Sequence, residues 1–250
     1  MKMKKVSLLA ILATVAGGAA MAVDAAPSNC PKAFQGFHIG GNLGYGVGKG
    51  SQKISLLDNT APHNGDSVSN DLGYNGVDGG VGVGYTHRFC NWAFGIAFDA
   101  NWASTSGRVR VQDHTSGGVG NPLTLTGKAN LKNSLQLYGR AGYVIGQMAM
   151  PFVGLGWDNS EWEHKISDSL WGGFTPAFVK TSKKRYNALL WKLGVDFLAT
   201  KHVVVGFEYT GTSAGKKSFT AVDPRNTTQT YRASFKPQYN KFAITAKLVY

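Results

Sequence analysis

Two short stretches bring a histidine near acids or hydroxyls along the chain. His63, Asp66 and Ser67 form one, and His164 with Asp168 forms the other. A nucleophile with a positioned base, or a serine–histidine–acid set, would serve acyl transfer or hydrolysis. Both stretches sit among turn-forming residues, and nothing in their spacing makes them converge on one reacting atom. His38, His87, His114 and His202 are dispersed. No complete phosphate-cradling glycine loop occurs. Two cysteines and scattered histidines make no zinc pattern. These residues read as a non-enzymatic chain with no metal and no cofactor.

A second set of polar residues interrupts apolar runs at alternate positions: Asp78, Asp99, Arg140, Lys192, Asp196, Glu208, Lys241 and Lys247. Their meaning depends on the elements that carry them. The last nine residues show the pattern. Phe242, Ile244, Ala246, Leu248 and Tyr250 share one parity, and Ala243, Thr245, Lys247 and Val249 the other. Successive side chains of a strand point to opposite faces, so one face is apolar and the other small or polar. A lipid-facing barrel strand needs this arrangement, with its final aromatic at the membrane boundary.

The same beat predicts seven more strands: Phe37 to Gly48, Gly76 to Arg88, Trp92 to Ala103, about Asn130 to Ile145, Met150 to Asp158, Lys184 to Leu198 and Val203 to Thr210. On the fourth, Leu131, Leu135, Leu137, Ala141, Tyr143 and Ile145 are expected outward, and Lys132, Ser134, Gln136, Tyr138 and Arg140 inward. Short turns alternate with four long polar loops, near 49–75, 104–129, 159–182 and 211–236. An even strand number lets the sheet close, leaving no backbone group unpaired in lipid. The expected fold is all-β: a closed eight-stranded antiparallel up-and-down transmembrane barrel with short periplasmic turns and four long extracellular loops. Glycine, at 33 of 250 residues, clusters inside the alternating runs, where a narrow bore has little room for side chains. Mean hydropathy is only −0.15, as expected when alternate residues alone meet lipid.

Lys2, Lys4 and Lys5 precede a short apolar run, Val6 to Val15, and an Ala20-Met21-Ala22 site. That is the order of a secretory signal peptide. The expected organisation is a signal peptide over 1–22, a periplasmic segment over 23–36 and the barrel over 37–250. Cys30 precedes the first strand and Cys90 lies in a short turn, so both fall at the periplasmic end. The expectation is a disulfide between Cys30 and Cys90, which an exported chain with two cysteines permits; two free thiols are the alternative.

Gly194-Val195-Asp196-Phe197-Leu198-Ala199-Thr200, followed by Val205-Gly206-Phe207-Glu208-Tyr209, resembles the penultimate hairpin of OmpA-type and opacity-type barrels. Pro151 to Gly156 resembles their fifth strand, and the terminal Tyr250 fits. The resemblance runs from about Phe37 to Tyr250. It implies an outer-membrane location in a Gram-negative bacterium and insertion by the barrel-assembly machinery. Since no residues follow the last strand in this sequence, peptidoglycan anchoring is not carried over.

Ionised groups in a narrow bore must pair. Counted from the short turns, Asp99, Arg140, Lys192 and Glu208 fall at similar depth and form the expected lumen network. A plug and an ion path gated by rearranged pairs are the two readings. Net charge is +12, falling to +9 once Lys2, Lys4 and Lys5 are removed. Candidate contact residues are Trp162, Trp171, Phe174 and Phe178 of the third loop, Lys183, Lys184 and Arg185 where it re-enters the wall, and Lys216, Lys217 and Arg225 of the fourth. The aromatics either form a contact patch or fold back on the rim. The bases would meet lipopolysaccharide phosphates, an acidic glycan or a host-cell receptor; nucleic acid is not an expected partner. Function tends to live on loops held by a rigid scaffold, so adhesion to or invasion of host cells is the leading expectation. The alternative is a structural or small-conductance envelope barrel.

Overall fold

The structure, a computed structural model, describes residues 32–58, 67–113, 123–169, 178–223 and 226–250. Among the described residues nine strands follow one another: β1 (Gly36–Asp58), β2 (Ser67–Phe89), β3 (Trp92–Asp113), β4 (Leu123–Tyr143), β5 (Ala149–Ser169), β6 (Phe178–Leu198), β7 (Val203–Ala214), β8 (Lys217–Asp223) and β9 (Asn226–Val249). Neighbours pair antiparallel around the sheet, and β1 closes on β9 from His38↔Val249 to Asp58↔Gln229. β7 and β8 run end to end along β9, so the wall has eight positions and no open edge at its lower, short-turn end.

Alternation sets the two faces. Phe37, Ile39, Leu43, Val81, Val83, Phe94, Ile96, Val153, Leu155, Leu193, Phe207 and Ile244 are exposed on the outside. So wide an apolar surface fits hydrocarbon rather than water. Trp92, Tyr143 and Tyr250 rim the lower edge of this band. Tyr45, Trp102, Trp191, Tyr209 and Phe242 rim the upper. Inward positions carry glycine or the charged set. On β1 the glycines are a matter of space: any side chain at Gly46, Gly48 or Gly50 would collide with the rings of Tyr239, Tyr74 and Phe235.

The strands are longer than the alternation in the sequence suggests. Seven have 21 to 24 residues, whereas a tilted strand crosses a bilayer in about 9–11. About half of each strand therefore stands above the upper aromatic rim. The four expected long loops are mostly strand: 49–58 belong to β1, 104–113 to β3, 159–169 to β5, and 217–223 and 226–236 to β8 and β9. Polar composition marks solvent on the outer face here, while backbone pairing continues.

Above the rim the wall divides. β2 and β3 pair up to Asn75↔Ser106, and no ladder joins 67–74 to 107–113. β6 and β7 pair up to Ala188↔Ala214, and no ladder joins β8 to 178–187. Two four-stranded sheets result, β8-β9-β1-β2 and β3-β4-β5-β6, packed face to face with two seams. Irregularities mark this level. The register shifts between Trp102 and Thr105 on β3 and between Leu131 and Asn133 on β4. Between β7 and β8, Gly215 and Lys216 interrupt the strand near Pro237 of β9, which has no N–H to give a ladder. Such bulges concentrate at barrel rims and re-aim the side chains beyond them. The β4 bulge corrects one expectation. Leu131 is buried and Lys132 exposed, the reverse of the uninterrupted alternation.

Candidate functional site

The bore is filled in layers. At the bottom, Phe34, Ala93, Val144, Met150 and Val204 form an apolar floor. Above it, Asp196 accepts from Arg140 Nη1 at 2.9 Å and from Lys247 Nζ at 2.9 Å. The Phe152 ring lies against both cations. The next layer centres on Lys192, whose Nζ is 2.8 Å from Asp99 and 2.6 Å from Glu208, over the Tyr138 ring at 4.3 Å. Higher still, Lys241 Nζ donates to Asp78 at 2.8 Å, Asn42 at 2.9 Å and Asn101 at 3.1 Å. Tyr239 also donates to Asp78, at 3.1 Å.

Of the four residues expected to form one network, Asp99, Lys192 and Glu208 meet directly. Arg140 turns down to Asp196 and Lys247 instead. Thr86 supplies its further partner, at 3.2 Å. The reason is reach: the guanidinium on β4 meets the inward Asp196 of β6 below the Lys192 layer. Four cations face four carboxylates across these layers, so charge is balanced where water is scarce. Between the two lower layers a cavity of about 20 Å³ remains, bordered by His38, Asn42, Asp99, Glu208, Thr245 and Lys247. That is room for about one water, too little for a hydrated ion.

Above the membrane the two sheets enclose an aromatic core. Leu72, Tyr74, Leu131, Trp162, Tyr186, Phe235 and Tyr239 are buried together. Trp162 is 1% exposed, its ring 4.8 Å from Tyr74 and 5.6 Å from Phe235. Rather than making a loop contact, it lies on β5 and faces inward. His164 stands in the same core. Its Nε2 is 3.0 Å from the Tyr186 hydroxyl, and its ring stacks on Phe219 of β8 at 5.6 Å. Burial, with Lys184 nearby, lowers its pKa to about 4. Phe219 and Phe235 fall in the expected fourth loop; their place in the core is signalled only by the two-residue spacing of Phe219 with Ala221 and of Ala233 with Phe235.

The remaining candidates gather at the β6–β8 seam. Lys184 and Arg185 lie on β6 as the alternation predicts, Lys183 joins them because the strand starts earlier, and all three are exposed, as are Lys180, Lys216 and Lys217. Lys217 Nζ donates to the Arg185 carbonyl and sits 5.5 Å from the Tyr186 ring, linking the two free edges. Arg185 pairs with Glu161 of β5 at 3.2 Å. Phe178 opens β6, while Trp171, Phe174 and Arg225 lie outside the described residues. So do His63 and Asp66 of the first histidine group, the expected signal peptide and Cys30. Cys90, in the β2–β3 turn, is disulfide-bonded. Among the described residues no cluster of three or more histidine, cysteine or acidic side chains could hold a metal.

Comparison with known proteins agrees with this architecture. The family model described as "Outer membrane protein beta-barrel domain" matches residues 9–236. No curated protein matches the chain. Among solved structures, OprG of Pseudomonas aeruginosa is 14% identical, with 86% of this chain and 97% of OprG covered and a TM-score of 0.46. Neisserial surface protein A is 11% identical, with 82% and 97% covered and a TM-score of 0.37. Ail, the attachment invasion locus protein of Yersinia pestis, is 10% identical, with 81% and 98% covered and a TM-score of 0.33. Together with the closed sheet and its apolar outer band, the family match establishes that this chain belongs to the outer membrane protein beta-barrel domain family and is an integral protein of the outer membrane.

Proposed function

We propose that this protein is a surface recognition barrel, acting in adhesion to or entry into host cells, and that it engages an acidic partner at the seam between β6 and β8. The observation that carries the reading is the convergence there of Lys180, Lys183, Lys184, Arg185, Lys216 and Lys217, all exposed. Lys180, Lys183, Lys184 and Arg185 stand on β6, which continues into the membrane wall, and Lys216 and Lys217 sit where β7 gives way to β8, so the patch is held away from the bilayer. Cations outnumber the bordering Glu161 and Glu163, and a predominantly positive surface raises the encounter rate with an oppositely charged partner. A sulfated or carboxylated glycan and an acidic receptor segment are the matching chemistries. The filled bore favours recognition over transport, and the reading assigns the protein no catalytic role.

The test is whole-cell binding with two variants, Lys183→Gln/Lys184→Gln/Arg185→Gln and Lys216→Gln/Lys217→Gln. A heat-modifiable gel shift confirms a folded barrel in each. Host-cell binding should drop in both, and a soluble sulfated polysaccharide should compete with the unaltered protein. Undiminished binding by both variants would leave a structural envelope barrel as the remaining role.

A further inference from the structure

A second basic surface faces a different way. β1 and β9 share one outward face, and above Tyr45 and Phe242 it changes from apolar to cationic. Lys49 and Lys53 of β1 and Arg232 and Lys236 of β9 are all exposed on it. The register sets Lys236 opposite Ser51, between Lys49 and Lys53, and Arg232 opposite Ser55. Asp71 of β2 is the acid bordering this group, opposite Ser51, and it accepts from the Ser51 hydroxyl at 2.8 Å. Like charges on neighbouring strand positions repel, so four cations this close gain when anions lie between them.

Height identifies the anion. A strand tilted by about 40° climbs roughly 2.5 Å per residue. Lys49 then stands about 10 Å above the Tyr45 ring, Lys236 about 15 Å above Phe242, and Lys53 about 20 Å above Tyr45. The aromatic rim marks the edge of the hydrocarbon. The ladder therefore rises through the zone where the outer leaflet holds its densest phosphate, in lipid A and the inner saccharide core of lipopolysaccharide.

We propose that the outward face formed by Lys49, Lys53, Arg232 and Lys236 is a binding site for the phosphates of one lipopolysaccharide molecule. Lys49 meets the lipid A phosphate, and Lys53, Lys236 and Arg232 meet core phosphates. The site needs only the outer-membrane location and is independent of the adhesion reading.

The experiment holds the protein in nanodiscs and measures binding of fluorescent rough-type lipopolysaccharide. The variant Lys49→Gln/Lys53→Gln/Arg232→Gln/Lys236→Gln should bind at least roughly tenfold more weakly, each cation contributing to attraction at an anionic surface. A variant with arginine at the three lysine positions should bind like the unaltered protein. Dephosphorylated lipopolysaccharide should bind the unaltered protein as weakly as the glutamine variant binds the intact lipid. Equal binding by the glutamine variant, or indifference to dephosphorylation, would overturn the assignment. So would loss of binding in the seam variant Lys183→Gln/Lys184→Gln/Arg185→Gln with retention in the β1–β9 variant.

Discussion

Lys192 of β6 reaches across the bore to Asp99 of β3, bringing its ammonium within 2.8 Å of the carboxylate. The two strands are not neighbours in the sheet, so this bond staples opposite walls, with Glu208 of β7 completing the triad at 2.6 Å.

Replacing Lys192 with Met should destabilise the barrel by about 3–5 kcal/mol, because two carboxylates are left buried without a cation. The combined variant Asp99→Asn/Lys192→Met/Glu208→Gln should recover most of that loss, since no net charge then remains in the layer. Urea unfolding in detergent micelles, followed by gel mobility, measures both. Equal stability of the single and combined variants would contradict the triad's role.

The layered bore should be closed to ions. In planar bilayers the unaltered protein should give no steady conductance, because the space left between its two lower charge layers is about 20 Å³. Shortening the pillar, as in Lys192→Ala/Glu208→Ala, should open small cation-sensitive steps. Steady channels from the unaltered barrel would show that the layers rearrange.

Trp162 ties the two sheets above the membrane. Trp162→Ala should cost about 3–5 kcal/mol of local stability, confined to the part above the rim. Limited proteolysis on intact cells should then cut the upper strands, while the membrane segment stays protected and heat-modifiable. Protection unchanged from the unaltered protein would deny the ring its structural role.

His164 makes the same region sensitive to acid. Its folded-state pKa is lowered to about 4 by burial and by Lys184, against about 6.5 when unfolded. The folded form therefore prefers neutral imidazole. Above about pH 6.5 there is no penalty. As pH falls toward 4 the opened state takes up a proton that the closed one refuses, so stability drops, by about 3 kcal/mol at most. Hydrogen exchange of the upper strands should accelerate over that window, and His164→Gln should remove the difference. A His164→Gln profile as steep as the original would assign the acid response to other groups.

The sequence by itself determined which side of the wall most residues occupy. Asp99, Lys192, Glu208 and Lys241 are buried, while Phe242, Ile244 and Leu248 are exposed, as a two-residue alternation requires. That property is local, since neighbouring side chains must diverge whatever the rest of the chain does. Closure decided the rest. The partner of Arg140 depends on how far strands shift as the sheet curls shut, and no local pattern records that shift. A single extra residue at the β4 bulge inverted Leu131 and Lys132 without altering the apparent rhythm. Backbone pairing above the membrane continued through polar stretches, because hydrogen bonds between strands do not need apolar side chains. The seams, the buried place of Trp162 and the gathering of lysines from β6 and β8 all arose from that continuation, where two curved sheets settled onto one aromatic core.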